Sequence, residues 1–314
     1  MKLIELKEVD KVFHHNSVLQ DVNLVIEESD ILGVIGQSGS GKTTLLNIIA
    51  GFIEPSEGEI LFYTPVHQEG IDLNKQLPYL KGRFGFTPQH NSLYLKLTVE
   101  ENLWHFGSLH GIDKKTLQTN IQNLLNFTHL IDHRQKLTED LSGGMQKRLD
   151  ISCSLIHKPQ VLVLDEPTAD LDPILQGEIL HMLREINQQG VTIIIASHHL
   201  DSIEHLCNKV AIIHNGKVHS HGLLDEVRRP YLRDHFTITL RPGQRKEELI
   251  SKIRLFSIKK IVDKGNALVI YPENIHETTK QMLNLIKEES LYLHDMDLRQ
   301  PSLHEVFENI VLGK

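Results

Sequence analysis

The sequence predicts an α/β fold built on a largely parallel sheet, and three observations carry that prediction. Four short apolar runs, Ile31 to Ile35, Val161 to Leu164, Val191 to Ala196 and Val210 to Ile213, read as strands buried on both faces. Helical patterns lie between most of them, which is the alternation of a parallel sheet with crossover helices. A glycine-rich loop follows the first run directly. In open sheets of this kind ligands gather outside the carboxyl ends of the strands, so functional residues are expected there.

The flanking segments are patterned differently. Leu3 to Val9 and Val18 to Ile26 alternate apolar with polar residues, as half-buried strands of an antiparallel sheet do. From about Leu93 to Asp140 the pattern is helical. Thr98-Val99-Glu100-Glu101 forms a capping box, and Leu117, Ile121, Leu124 and Leu125 repeat at helical spacing, giving an all-helical insert. Arg228-Arg229-Pro230 marks a boundary between residues 1–227 and 231–314. Beyond it, His235 to Arg241, Ser257 to Val262, Ala267 to Tyr271 and Leu291 to Leu298 read as strands. Lys246 to Phe256, His276 to Lys287 and Ser302 to Val311 read as helices. The order βαββαβ plus a last helix suggests a small α+β module.

At 314 residues the chain is long enough for two domains. The net charge of −8 argues against general nucleic-acid binding, which usually needs a basic face. Cys153 and Cys207 are the two cysteines, both in apolar surroundings, and are expected to be reduced and buried. No apolar run approaches the roughly 20 residues needed to span a bilayer, and Met1-Lys2-Leu3-Ile4-Glu5 lacks a signal-peptide pattern. His129 and His133 are spaced i, i+4, yet no further ligand type completes a metal set beside them, so a solvated helix face is expected. His219 and His221 read as the exposed face of a strand.

Gly36-Gln37-Ser38-Gly39-Ser40-Gly41-Lys42-Thr43 fits the phosphate-loop pattern, with Thr44 following, between an apolar strand and the apolar helix Leu45 to Ile49. Its glycines let successive backbone N–H groups point at phosphates. Lys42 supplies a point charge, and the Thr43 hydroxyl suits magnesium. Val161-Leu162-Val163-Leu164-Asp165-Glu166 supplies the acidic partner. Asp165 can hold the metal, and Glu166 can orient and polarise an attacking water. A second glycine loop, Leu141-Ser142-Gly143-Gly144-Met145-Gln146, pairs a helix cap with two small residues. It aims the positive end of a helix at an anion that this loop does not itself cradle.

In this order the motifs resemble the ATP-binding subunit of an ATP-binding-cassette (ABC) transporter. The resemblance spans roughly residues 1–222 and implies a P-loop NTPase cassette with a mixed sheet core, an antiparallel β-subdomain and a helical subdomain. It also implies roles for further residues. Phe13 matches the aromatic that stacks on adenine, with Phe in place of the commoner Tyr. Gln89 matches the glutamine that senses magnesium and faces the membrane partner. Asp172, in Ala169-Asp170-Leu171-Asp172, matches the loop that crosses between subunits. His198, directly after Ser197, matches the histidine that contacts the γ-phosphate, although His199 stands beside it. ATP and Mg2+ are the implied ligands. A second ATP-binding subunit, a homodimer in the simplest case, and integral membrane permease subunits are the implied partners, at the cytoplasmic face of the membrane.

The tail Asp297-Leu298-Arg299-Gln300-Pro301-Ser302-Leu303-His304-Glu305-Val306-Phe307 resembles the closing segment of exporter ATPases of the daunorubicin-resistance type. The same stretch also reads as a helix capped by Ser302 with Glu305 completing the box. Export is therefore the expected work. Mechanical work on envelope proteins is an alternative that only the membrane partner would distinguish. A soluble cassette acting on nucleic acid is another, which stimulation of ATPase by nucleic acid would reveal. The transported substrate is not legible in this chain.

Overall fold

The computed structural model describes residues 1–231, 236–239, 246–263, 265, 267–288 and 302–312. The chain divides into two compact units, Met1–Val227 with Phe307–Lys314, and Arg228–Val306.

The first unit opens with β1 (Lys2–Phe13) and β2 (Asn16–Glu27), followed by β3 (Ile31–Gly36) and α1 (Lys42–Ile49). Next come β4 (Glu57–Phe62), β5 (Ile71–Asp72), α2 (Leu77–Leu80) and β6 (Phe84–Thr87). The helices α3 (Val99–Leu109), α4 (Lys114–Phe127) and α5 (Gly143–Leu155) precede β7 (Val161–Asp165). Then follow α6 (Pro173–Gln188), β8 (Thr192–Ser197), α7 (Leu200–Leu206), β9 (Lys209–His214), β10 (Lys217–Leu223) and α8 (Leu224–Arg228). Strands β9, β3, β8, β7 and β6 run parallel in that spatial order, with β10 antiparallel on the edge beside β9. Strands β2, β1, β4 and β5 form a separate antiparallel sheet.

The four apolar runs became β3, β7, β8 and β9 because both faces of each are covered, so no alternation with polar residues is needed. Strand β6 escapes that pattern: Gly85 and Thr87 interrupt Phe84 and Phe86, although Phe84, Gly85 and Thr87 are buried. Helix α1 packs Leu45, Leu46, Ile48 and Ile49 into a core shared with Leu3, Ile4 and Leu6 of β1 and Val163 and Ile194 of the parallel sheet. This pins the helix that carries the phosphate loop between the two sheets.

The helical insert is larger than its sequence pattern suggested. Its core joins Val99 and Leu103 of α3 and Leu117, Ile121 and Leu125 of α4 to Leu149 and Cys153 of α5. Each such buried side chain contributes roughly 1.5–3 kcal/mol. Helix α5, which starts at the second glycine loop, therefore belongs to the insert, beyond the expected limit near Asp140. The Thr98 box forms as expected, with Thr98 Oγ1 accepting from Glu101 N at 3.2 Å and Glu101 Oε2 from Thr98 N at 2.8 Å.

One expectation fails locally. His129 and His133 do not share a helix face, because α4 ends at Phe127; His129 takes a positive φ of 56° and His133 lies in a following 3-10 turn. His219 and His221 are exposed on alternate positions of β10. Cys153 and Cys207 are free and buried.

In the second unit β11 (Phe236–Thr239), β13 (Ala267–Pro272) and β12 (Ile258–Asp263) form an antiparallel sheet in that spatial order. Helices α9 (Lys246–Ile253) and α10 (Ile275–Glu288) supply Leu249, Ile253, Met282 and Leu285 to a core with Leu268 and Ile270. The expected strand Leu291 to Leu298 lies outside the described residues. Ahead of α11 (Leu303–Leu312), Ser302 Oγ accepts from Glu305 N at 3.3 Å and Glu305 Oε2 from Ser302 N at 2.9 Å, so the tail helix carries a complete capping box. Among the described residues no helix is long and apolar enough to cross a membrane.

Candidate nucleotide site

The phosphate loop sits where β3 turns into α1. Gly39 and Gly41 take φ of 78° and 106°, values that exclude most side chains and let the backbone wrap inward. Lys42 Nζ donates to the carbonyls of Gly36 and Gln37 at 2.9 and 3.1 Å, folding the ammonium across the loop. Burial pulls the Lys42 pKa down, while nearby Glu166 and Asp165 pull it back up. A cavity of about 530 Å3 opens above, lined by Val18, Ser38, Gly39, Gly41, Lys42, Thr43, Thr44, Gln89, Glu166 and His198.

Opposite the loop, β7 ends at the acidic pair. Thr43 Oγ1 donates to Asp165 Oδ2 at 2.8 Å. Asp165 Oδ1 is buried without a hydrogen-bond partner. Burial raises the Asp165 pKa, Thr43 opposes that, and the Glu166 charge adds to it. An orphaned carboxylate oxygen beside the Thr43 hydroxyl is a hard-oxygen donor set that fits Mg2+.

Glu166 adopts φ 48°, a left-handed conformation that is uncommon for a non-glycine residue and gathers at functional sites. Its amide donates to Ala196 O of β8 at 2.9 Å, which holds the turn in place. The carboxylate is thereby brought to His198: Nδ1 lies 2.9 Å from Oε1, and the His198 amide donates to Oε2 at 3.3 Å. His198, rather than His199, lines the cavity. The His199 amide instead donates to Ser197 Oγ at 3.0 Å, and its ring lies against that of His198 with centroids 4.1 Å apart.

Other expected site residues stand outside this cavity. Phe13, at the end of β1, is 40% exposed with Lys11 Nζ 4.9 Å from its ring centroid. Ser142 caps α5, its hydroxyl accepting from Met145 N at 3.4 Å. Leu141 is buried in the helical core, and Gln146 Nε2 donates to Thr138 O and Leu141 O at 3.1 and 3.4 Å. Ser142 and Gly143 are exposed, whereas a Cβ on Gly144 would come within 2.9 Å of Leu175. Asp172 caps α6, accepting from Ile174 N and Leu175 N at 3.0 and 3.1 Å. Val18 was not anticipated: its carbonyl oxygen lies 3.0 Å from where a Gly41 Cβ would stand, and its side chain gives no sequence signal. A larger groove of about 620 Å3 near Asn120, Ile156 and Val191 holds Lys158 as its one charged lining residue.

A phosphate loop at the end of β3, an acidic pair at the end of β7 across the intervening β8, and a histidine facing that pair define a P-loop nucleoside triphosphatase. Residues 19–169 match the ABC transporter family, and residues 222–311 match the family described as ATP-binding protein DrrA1-3-like, C-terminal domain. Daunorubicin resistance ATP-binding protein DrrA3 of Streptomyces coeruleorubidus is 28% identical over 299 residues, covering 95% of this chain and 92% of its own. Methionine import ATP-binding protein MetN of Protochlamydia amoebophila is 35% identical over 248 residues, covering 76% and 70%. The solved dimeric structure of MJ0796, a bacterial ABC transporter cassette, superposes with a TM-score of 0.62 at 26% identity, covering 71% of this chain and 99% of that one. The chain belongs to the ATP-binding subunits of ABC transporters, in the daunorubicin-resistance type, and is an ATPase.

Proposed function

We propose that this chain is the motor of a membrane exporter, working as a dimer with ATP held between the phosphate loop of one copy and the Ser142-Gly143-Gly144 loop of the other. One observation carries this reading. The capped N-terminus of α5 presents Ser142 and Gly143 to solvent, and neither lines the cavity of its own chain. A helix N-terminus with an exposed small residue is an anion grip, and here it lacks an anion within its own subunit. A solved cassette similar to this chain is described as dimeric, which supports the pairing of two copies.

In this reading the backbone of Gly36, Gln37, Ser38, Gly39, Ser40 and Gly41 cradles the phosphates, with Lys42 and Thr44 beside them. Phe13 stacks on adenine. Thr43, Asp165 and Gln89 hold Mg2+, which supplies charge neutralisation at the outer phosphates when bound. Glu166 accepts a proton from the attacking water, whose oxygen bonds to the γ-phosphorus as the bond to the β,γ-bridging oxygen breaks, leaving ADP and phosphate. His198, anchored by Glu166, offers its remaining ring nitrogen to the γ-phosphate. Asp172 fixes the loop that crosses between copies. Residues 1–227 form the cassette and residues 231–314 an accessory domain, and the chain works with membrane permease subunits at the cytoplasmic face. The 222–311 match to the DrrA1-3-like C-terminal domain favours export over import.

Sedimentation of Glu166→Gln with Mg2+ and ATP tests the shared site, and a monomer at saturating ATP overturns it. With the membrane partner present, export predicts ATP-driven accumulation in inside-out vesicles, and uptake by right-side-out vesicles contradicts it.

A further inference from the structure

Away from the phosphate cavity, α5 buries two opposite charges. Lys147 and Asp150 are 5% and 0% exposed, and Lys147 Nζ lies 3.6 Å from Asp150 Oδ2. Burial lowers the Lys147 pKa and raises that of Asp150, so each charge is held at a cost. A buried pair of this kind is often no more stabilising than apolar residues of similar volume, so stability alone does not account for it.

Its outer contacts do. Asp150 Oδ1 accepts from Ser92 Oγ at 2.8 Å and from Ser92 N at 3.3 Å. Lys147 Nζ reaches the Gln89 carbonyl at 3.5 Å. One turn beyond, Ser154 Oγ donates to Phe86 O at 2.8 Å and lies 2.9 Å from Thr87 Oγ1. Positions 147, 150 and 154 share one stripe of the helix, so the end of β6 and the loop after it are laced along α5. Gln89 lines the phosphate cavity. The same helix is capped by Ser142, about 12 Å from Asp150 at 1.5 Å per residue.

We propose that Asp150 is a positioning residue that ties the Gln89 loop, through Ser92, to the helix bearing Ser142-Gly143-Gly144. A displacement of Gln89 at the phosphates then moves the signature loop with it, as a rigid helix transmits motion along its axis. Polar groups on both sides of the joint make the coupling directional: Ser92 N–H and O–H both point into one carboxylate oxygen, which fixes the register of loop on helix. The inference rests on the shared-site reading above.

The test is a double-mutant cycle on the full-length chain with Ser92→Ala, Asp150→Ala and the pair, reading kcat, KM and the Kd of a fluorescent ATP analogue. Each single change is expected to lower kcat on the order of tenfold, as loss of an outer supporting contact does, with Kd shifted less than about twofold. The pair should be no worse than either single. Asp150→Asn keeps an oxygen acceptor for Ser92 and should restore kcat to within about threefold of the parent. Wild-type kcat in both singles overturns the proposal, as do losses that multiply in the pair or a Kd that worsens in step with kcat. If Asp150→Ala fails to fold, Ser92→Ala and Asp150→Asn decide by the same criteria. Gly143→Asp, measured alongside, separates the two readings. Turnover retained there removes the shared site and this inference with it, whereas turnover lost there but intact in Ser92→Ala and Asp150→Ala removes the positioning role alone.

Discussion

Thr43 Oγ1 donates to Asp165 Oδ2 at 2.8 Å, closing the space between the first turn of α1 and the end of β7. The bond satisfies one carboxylate oxygen and leaves Oδ1 buried without a partner. Burial, offset by Thr43 and Lys42 and reinforced by Glu166, raises the Asp165 pKa. A carboxyl with a raised folded pKa contributes stability that is present below its unfolded pKa and lost as pH rises through the folded value. Above that folded value the nucleotide-free protein holds the Asp165 charge at a cost to its stability. Asp165→Asn removes the charge while keeping the shape. Without nucleotide or Mg2+ it should stabilise the fold by about 0.5–2 kcal/mol and abolish most ATPase activity. Thermal melts in chelator together with phosphate release check this, and a lowered Tm contradicts the cost assigned to the charge.

Glu166 is held in a left-handed turn with its carboxylate against His198. Glu166→Gln retains an oxygen that can accept from the His198 amide, so the cavity should keep its form. Loss of the proton acceptor should slow turnover by about 10²–10⁴-fold while ATP still binds. Steady-state phosphate release and equilibrium ATP binding report the two quantities separately. Near-normal turnover in this variant would falsify the base role.

The parallel core and the cavity were legible in the sequence because both depend on local signals. Continuous apolar runs mark strands covered on both faces, and the phosphate loop dictates its own backbone. The acidic pair is found by its place at the end of such a run. Strand β6 was not legible, since the alternation of Phe84 and Phe86 with Gly85 and Thr87 is only four residues long and too short to stand out. Nor was Val18, which meets Gly41 by tertiary approach alone. The network of Ser92, Lys147 and Asp150 lay hidden for a related reason. Nothing local in the sequence marks Lys147 and Asp150 as buried, and only packing of α5 against the Gln89 loop encloses them.

Gly143 is open where Gly144 is not. The nearest atom to a Cβ on Gly143 is Leu171 Cδ2 at 4.0 Å, while one on Gly144 would meet Leu175 at 2.9 Å. A carboxylate at Gly143 also faces the positive end of α5, which favours it by a few tenths of a kcal/mol. Gly143→Asp should therefore fold with an unchanged or slightly raised Tm and bind ATP normally. The same charge should repel a phosphate presented by a second copy, so ATP-dependent dimerisation and hydrolysis are expected to be lost. Analytical ultracentrifugation with ATP and Mg2+ is decisive, and dimers of normal affinity refute a shared site.

His157 and His110 stack with ring centroids 3.7 Å apart and planes 6° from parallel. His157 Nε2 lies 3.0 Å from Phe84 O, and its Nδ1 is buried without a partner. Burial, and then the His110 charge, bring the His157 pKa down from 6.5 to about 4. The folded protein thus keeps this ring neutral over a range in which the unfolded chain takes up a proton. The stability it contributes is present above the unfolded value and is lost as pH falls from about 6.5 through about 4, on the order of 3 kcal/mol across the whole window. His157→Phe keeps a flat ring against His110 and cannot titrate. Its stability should fall less than the parent's between pH 7 and pH 5, as measured by urea midpoints at both values. An equal fall in the two proteins would mean that the stacked pair plays no part in the acid limb.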